Sequence, residues 1–198
     1  MDVAEVRTAI NVASGIQRAV LLDVLWTGML QQPIADGDRE EIESIGNELA
    51  ALVGEIAERA QVVRSLVDDD PVGFGAGAEQ ALEMAHASGS VLDEASLRDA
   101  LQVGGWAGLV ADAVDTLDQL ARDEQVVLQS KVVNIHSGVH VAGDLSRRWK
   151  RAGAVIAFAA GVVAAGPILI PGAAIPAGLA AAATLVELSV GLVVGLSD

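Results

Sequence analysis

Apolar residues recur at helical spacing through the first 130 residues. Residues 3–31 carry such a pattern, and the next helix has a coiled-coil-like seam that ends at the run Asp68 to Pro71. The first pattern comprises Val3, Val6, Ile10, Val20, Leu21, Val24 and Leu25, and the seam comprises Ile42, Ile45, Leu49, Leu52, Ile56, Val63 and Leu66. We therefore predict an all-α protein that begins with a helical bundle.

Two further helices complete the predicted bundle. A short helix is expected near Ala78–Ala87, and a long one runs from about Asp93 to Gln129. The stripe of the long helix comprises Leu97, Leu101, Leu109, Val110, Val114, Leu117 and Leu120. The pair Gly104-Gly105 interrupts this helix and predicts a kink or a division into two helices.

The end of the chain is uncharged over residues 152–186, a stretch of 35 residues. One membrane-spanning helix needs about 20 residues, so the stretch fits two helices with the Gly/Pro-rich segment Gly166–Pro176 as the turn. We expect helices over Arg148–Ala165 and Ala177–Leu196. The sequence thus predicts a two-helix hydrophobic, transmembrane hairpin after the bundle.

Small residues repeat every four positions on both tail helices, a spacing that lets helix backbones approach closely in lipid. They are Gly153, Ala157, Gly161 and Ala165 on the first, and Ala183, Gly191 and Gly195 on the second. Glu187 shares the second face near mid-membrane, where an ionised carboxylate costs about 3 kcal/mol. Either Glu187 residues of several copies line or gate a cation path, or each is a protonated carboxyl bonded to Thr184, Ser189 or a backbone carbonyl.

Charge divides the chain into zones. Residues 1–144 hold 25 acidic and 8 basic residues, whereas residues 146–151 read Ser-Arg-Arg-Trp-Lys-Arg. The predicted organisation is an acidic bundle (1–130), a strand-like linker or oligomerisation segment (131–145), a basic collar (146–151) and the hydrophobic hairpin (152–198). The net charge of −15 argues against nucleic acid as a partner.

The collar predicts an orientation in the membrane. Arg147, Arg148, Lys150 and Arg151 should stay on the cytoplasmic side and contact lipid headgroups, with Trp149 at the same level. A hairpin would return the chain end to that side, so the acidic body and both hairpin ends would lie at the cytoplasmic face of the inner membrane. A form that is soluble before insertion is compatible with the same pattern.

Residues 131–142 alternate with a period of two: Val133, Ile135, Val139 and Val141 occupy odd positions, and polar residues occupy several even ones. This alternation predicts a strand or a small hairpin that would pair with another copy. A linker, or a continuation of the preceding helix, is the alternative. The segment resembles the short Asn/Gly/Val/His motifs of bacterial amyloid-type signalling sequences, which recruit cell-death effectors.

No catalytic motif is present. The chain has no cysteine and no Gly-rich phosphate loop, serine nucleophile elbow or His-Glu-x-x-His motif. We expect no enzyme activity, metal or cofactor.

The plan of a helical bundle plus an apolar hairpin resembles α-helical pore-forming proteins, which insert such a hairpin on assembly. Trp26-Thr-Gly28 and Trp106-Ala-Gly108 also resemble the Trp-x-Gly motif of secreted WXG-type proteins, although this chain has no tyrosine. The expected function is a bacterial membrane effector, of toxin or defence type, that oligomerises and permeabilises a lipid bilayer, with a protein trigger or partner. The alternatives are a passive membrane-anchored scaffold or signalling subunit and a soluble all-α interaction protein.

Overall fold

A computed structural model describes residues 3–35, 37–87, 94–136 and 145–165. All five elements in these ranges are helices, which confirms the all-α prediction. They are α1 (Val3–Leu30), α2 (Arg39–Asp69), α3 (Pro71–Ala87), α4 (Glu94–His136) and α5 (Arg147–Ala165).

The first two helices pack antiparallel. Trp26, near the end of α1, is buried and its indole Nε1 donates a 2.9 Å hydrogen bond to the carbonyl of Ile42, near the start of α2. A buried hydrogen bond therefore fixes one end of the contact between α1 and α2. Further along, Gly15 lies against Ile56, so residues earlier in α1 meet residues later in α2.

α4 packs antiparallel to α2. Gly46 of α2 faces Val132 near the end of α4, and Arg64 pairs with Asp115 at 2.8 Å further along. The buried residues of α2 keep the three-and-four spacing that the seam predicted. This seam is therefore the centre of the bundle.

α5 packs against both α1 and α4. Ile16 of α1 approaches Gly153 of α5, and the ring of Trp106 of α4 stacks on Phe158 of α5 with centroids 5.4 Å apart. The start of α5 lies against residues later in these helices, since Leu145 bonds to Asp23 and Ser146 bonds to Glu124, so α5 runs antiparallel to both neighbours. α1, α2, α4 and α5 therefore form a four-helix bundle, and Phe74 of α3 contacts Trp106 edge-on.

The predicted break in α4 is confirmed at Gly105. Its φ of 68° and ψ of −174° place the backbone in a region that residues with a Cβ rarely adopt. Two helical segments therefore meet at this residue, and the second begins beside Trp106.

The predicted strand is wrong over residues 131–136, which continue α4. Leu128, Val132 and Ile135 are buried, and their four-and-three spacing places them on one helical face against the bundle. Val133 is 64% exposed. The alternation in sequence was also compatible with this helical stripe, and the helix prevails because it buries three large side chains.

The first predicted tail helix corresponds to α5, but the structure places it inside the bundle. None of the described helices combines the length and apolar character that crossing a membrane requires. The second tail helix and its turn lie outside the described residues, as do Glu187, Gly191 and Gly195. Val139 and Val141 of the proposed oligomerisation segment lie outside them as well.

The close approach at Gly46 yields a stability prediction. A Cβ at this position would lie 2.7 Å from Cζ2 of Trp26 and 2.6 Å from Cγ2 of Val132, so Gly46→Ala should lower the free energy of unfolding by about 1–3 kcal/mol through overpacking. Urea denaturation followed by circular dichroism measures the change. Gly108→Ala is the control, because a Cβ there meets nothing within 4 Å, and it should raise stability by up to about 1 kcal/mol. Equal effects of the two substitutions would contradict this packing.

Candidate functional site

A cluster of polar groups joins the start of α5 to the two helices beside it. It consists of Asp23 of α1, Glu124 of α4, the backbone N–H groups of Leu145 and Ser146, and the ammonium group of Lys150. We call this cluster the polar latch. Asp23 and Glu124 are the only buried charged residues in the described part of the chain, so the latch is the main polar feature of the interior.

Asp23 uses both carboxylate oxygens. Oδ1 accepts a 2.8 Å hydrogen bond from the backbone N–H of Leu145, and Oδ2 lies 2.9 Å from Nζ of Lys150. Asp23 is 1% exposed, and a buried carboxylate is tolerated only when it is paired and hydrogen-bonded. The position of Asp23 thus depends on α5 being docked, and the docked position of Lys150 depends on Asp23.

Glu124 and Ser146 complete the attachment. Oε1 of Glu124 accepts a 3.0 Å hydrogen bond from the backbone N–H of Ser146. The hydroxyl oxygen of Ser146 in turn accepts a 3.2 Å bond from the N–H of Trp149 and so caps the first turn of α5. Two carboxylates near the N-terminus of a helix also complement the positive end of its dipole. The beginning of α5 is therefore fixed electrostatically as well as by packing.

The five residues predicted to dock on headgroups do not share one surface in this fold. Trp149 is fully buried, and Lys150 turns inward to Asp23. Arg147, Arg148 and Arg151 are exposed and form no ion pair with a described residue. The collar thus divides into an inner pair that anchors α5 and an outer set of three arginines.

The body of α5 after the latch has no charge and is enclosed. Every residue from 152 to 165 is buried except Val155 and Ala164, which are half-buried. Gly153 and Gly161, of the predicted small-residue face, are among the buried residues. A Cβ at Gly153 would lie 3.2 Å from Cγ2 of Ile16. This face therefore allows a close approach to α1 of the same chain.

One further polar atom lies beside the latch. The indole Nε1 of Trp149 is buried, and no described residue accepts a hydrogen bond from it. Buried polar groups in proteins are usually hydrogen-bonded, so Trp149 differs in this respect from Trp26, whose indole donates to Ile42.

Sequence reasoning missed Asp23, Glu124 and Ser146, although each leaves a local signal. Asp23 is the only charged residue between Ala19 and Leu30. Glu124 continues the stripe of Leu117, Ala121 and Leu128, all of which are buried. Ser146 directly precedes the first residue of α5, where serine is a preferred cap. These signals mark residues that differ from their surroundings, but they do not identify the partners.

Comparison of the chain with protein-family models, with curated proteins and with solved structures gave no match. A function must therefore be argued from the latch and from the helix that it holds.

The latch yields a second stability prediction. Asp23→Asn removes the buried carboxylate charge that lies 2.9 Å from Nζ of Lys150 and should lower the free energy of unfolding by about 3 kcal/mol. Asp115→Asn is the matched control: the pair of Asp115 with Arg64 is largely exposed, and its loss should cost less than about 1 kcal/mol. Urea denaturation measures both. The double substitution Asp23→Leu with Lys150→Met should recover part of the loss, because it removes both charges of this pair. A cost of Asp23→Asn no larger than that of Asp115→Asn would show that the latch contributes little.

Proposed function

We propose that this protein is a non-enzymatic membrane effector of bacterial cell-death or defence type. In its water-soluble form the acidic bundle encloses α5 and holds its start through the polar latch. On a lipid bilayer, α5 and the uncharged residues that follow it leave the bundle and permeabilise or depolarise the membrane. Several copies would assemble in that step, with Arg147, Arg148 and Arg151 remaining at the headgroups.

The observation that carries this proposal is the enclosure of the uncharged part of α5, residues 152–165, within an acidic bundle. A helix that is apolar on all sides occurs in a protein core or in a membrane, and α5 is enclosed within the described bundle. The uncharged sequence continues to residue 186. In water, release of α5 would expose its apolar surface, at a free-energy cost of about 25 cal/mol for each Å² exposed. An apolar phase removes that cost, so the bilayer is the environment in which release is favourable.

The latch supports a triggered step. Its bonds lie at one end of α5, so loss of the contacts to Asp23 and Glu124 would free the basic first turn. Attachment by a few polar bonds is also sensitive to charge and to the local dielectric, which change at an anionic surface.

A soluble all-α interaction protein is the second candidate. It is favoured by the burial of α5 and by the absence of a membrane-span-like helix among the described residues. In that case the enclosed helix is an ordinary core element and the latch fixes its register. The two functions differ in whether α5 leaves the bundle on contact with lipid.

A disulfide that ties α5 to α1 tests the proposal, because the native chain has no cysteine. Ile16→Cys with Gly153→Cys should form a bond, since a Cβ at 153 lies 3.2 Å from Cγ2 of Ile16. Vesicles of phosphatidylglycerol and phosphatidylcholine are loaded with a fluorescent dye. We expect the oxidised variant to release dye at least about tenfold more slowly than its reduced form, because a disulfide opposes separation of the helices.

The matched control ties α1 to α2 by Gly15→Cys with Ile56→Cys, where the corresponding distance is 3.3 Å. This bond leaves α5 free, so oxidation should not change dye release. Release by the oxidised α1–α5 variant at the reduced rate would contradict the proposal. Absence of release from every vesicle by the parent chain would favour the interaction protein, and vesicle-bound protein without release would favour an anchored scaffold.

A further inference from the structure

The charge of the bundle is divided between two sides. α1 and α5, which are neighbours, carry two acidic and six basic residues, whereas α2 and α4 carry fifteen acidic and six basic residues. Of the two acidic residues of α1, Asp23 is buried in the latch and Glu5 is half-buried. The side formed by α1 and α5 therefore presents no fully exposed carboxylate among the described residues, in a chain whose net charge is −15.

α1 buries Val12, Ile16 and Trp26 but also leaves several large apolar side chains exposed. Its contacts with the core include Ala9, Ala13 and Ala19, while Leu21, Val24 and Leu25 are 70%, 62% and 51% exposed. These three residues recur at spacings of three and four, so they form one patch on the outer face of the helix. A contiguous exposed apolar patch marks an interaction surface.

Arginines accompany this patch. Arg18 lies three residues before Leu21, on the same outer stripe, and Arg7 lies further along that face. Arg18 pairs with Glu48, but its side chain is 65% exposed. Arg147, Arg148 and Arg151 lie on the neighbouring helix and have no described ion-pair partner. Basic and aliphatic side chains are thus combined on one side of the bundle.

We propose that the side formed by α1 and α5 is a docking surface for an anionic lipid bilayer, used by the folded bundle while α5 is still enclosed. Leu21, Val24 and Leu25 enter the interface between headgroups and acyl chains. The arginines contact lipid phosphates. The inference rests on the proposed function for the choice of a bilayer as partner, but it does not require α5 to leave the bundle.

Charge complementarity favours a bilayer over a second copy. Two copies that met symmetrically through this surface would bring like-charged arginines together, whereas an anionic bilayer neutralises them and also accepts the aliphatic side chains. α2 and α4, which carry most of the negative charge, lie on the opposite side of the bundle, and Glu48 of α2 reaches the edge of this surface in its pair with Arg18. The same charge repels the bilayer in any other orientation, so the docked orientation is selected electrostatically.

The test uses the oxidised Ile16→Cys/Gly153→Cys protein, in which α5 cannot leave. Its binding is measured by co-sedimentation with vesicles that contain phosphatidylglycerol and with vesicles of phosphatidylcholine alone. We expect binding to the anionic vesicles only, weakened by added salt. Leu21→Ser with Leu25→Ser in this background should lower the partition coefficient by about tenfold or more. Both positions are exposed, so the bundle should keep its circular dichroism spectrum and melting temperature.

The matched control is Val126→Ser with Val127→Ser, which removes two exposed aliphatic side chains from α4 and should leave binding unchanged. Equal binding by the α1 variant and its parent, or equal loss in the control, would overturn the proposal. So would a dimer in analytical ultracentrifugation that the α1 substitutions abolish without changing vesicle binding, which would assign the face to a second copy. Vesicle binding by the unlocked chain without dye release would refute the proposed function and leave the docking surface standing.

Discussion

The carboxylate of Asp23 is the interaction on which the arrangement of α5 depends. It joins a residue of the first helix to the backbone of Leu145, which lies 122 positions later in the chain, and to the ammonium group of Lys150. A buried ion pair is a weak source of stability, because desolvation offsets most of the attraction, and well-packed apolar residues of similar volume often hold a fold more firmly. A charged attachment at this position therefore points to specificity or reversibility.

The packing of α1 follows from the same need to bring α5 close. Ala9, Ala13 and Ala19 on its inner face, together with Gly153 of α5, let the two helices approach closely. The same side of α1 also buries Val12, Ile16 and Trp26, so it contributes large as well as small apolar side chains to the core. Leu21, Val24 and Leu25 lie away from that side and are exposed.

The sequence allowed prediction of elements with strong local signals. The seam of α2, the kink at Gly105 and the extent of α5 each depend on residue spacing or on a backbone requirement within a few positions, and each is observed. Residues 131–136 carry two periodicities at once. The alternation of Val133 and Ile135 with polar residues predicts a strand, whereas the spacing of Val132 and Ile135 from Leu128 fits a helix equally well. Local spacing identifies the helix but leaves such ambiguities to tertiary packing.

The latch and the outer patch of α1 were beyond that reasoning for a different reason. Periodicity shows that Leu21, Val24 and Leu25 share a helical face, but α1 has a second apolar face that includes Ile16 and Trp26, and only the neighbouring helices decide which face is buried. In the same way, Lys150 lies in a basic run that is typical of headgroup contacts, and its inward position depends on a carboxylate in another helix. Pairing across more than 100 residues leaves no trace in the spacing of either segment.

The composition of α5 explains why weak polar contacts can decide its location. Alanine and glycine dominate its uncharged part, and these residues gain little from burial in a protein core because they remove little area from water. They also gain little from acyl chains, for the same reason. When two apolar environments stabilise a helix to a similar extent, the difference between them is set by the groups at its ends. At the start of α5 those groups are Asp23, Glu124 and the basic first turn, so under the proposed function electrostatics at the latch would set the balance between core and bilayer.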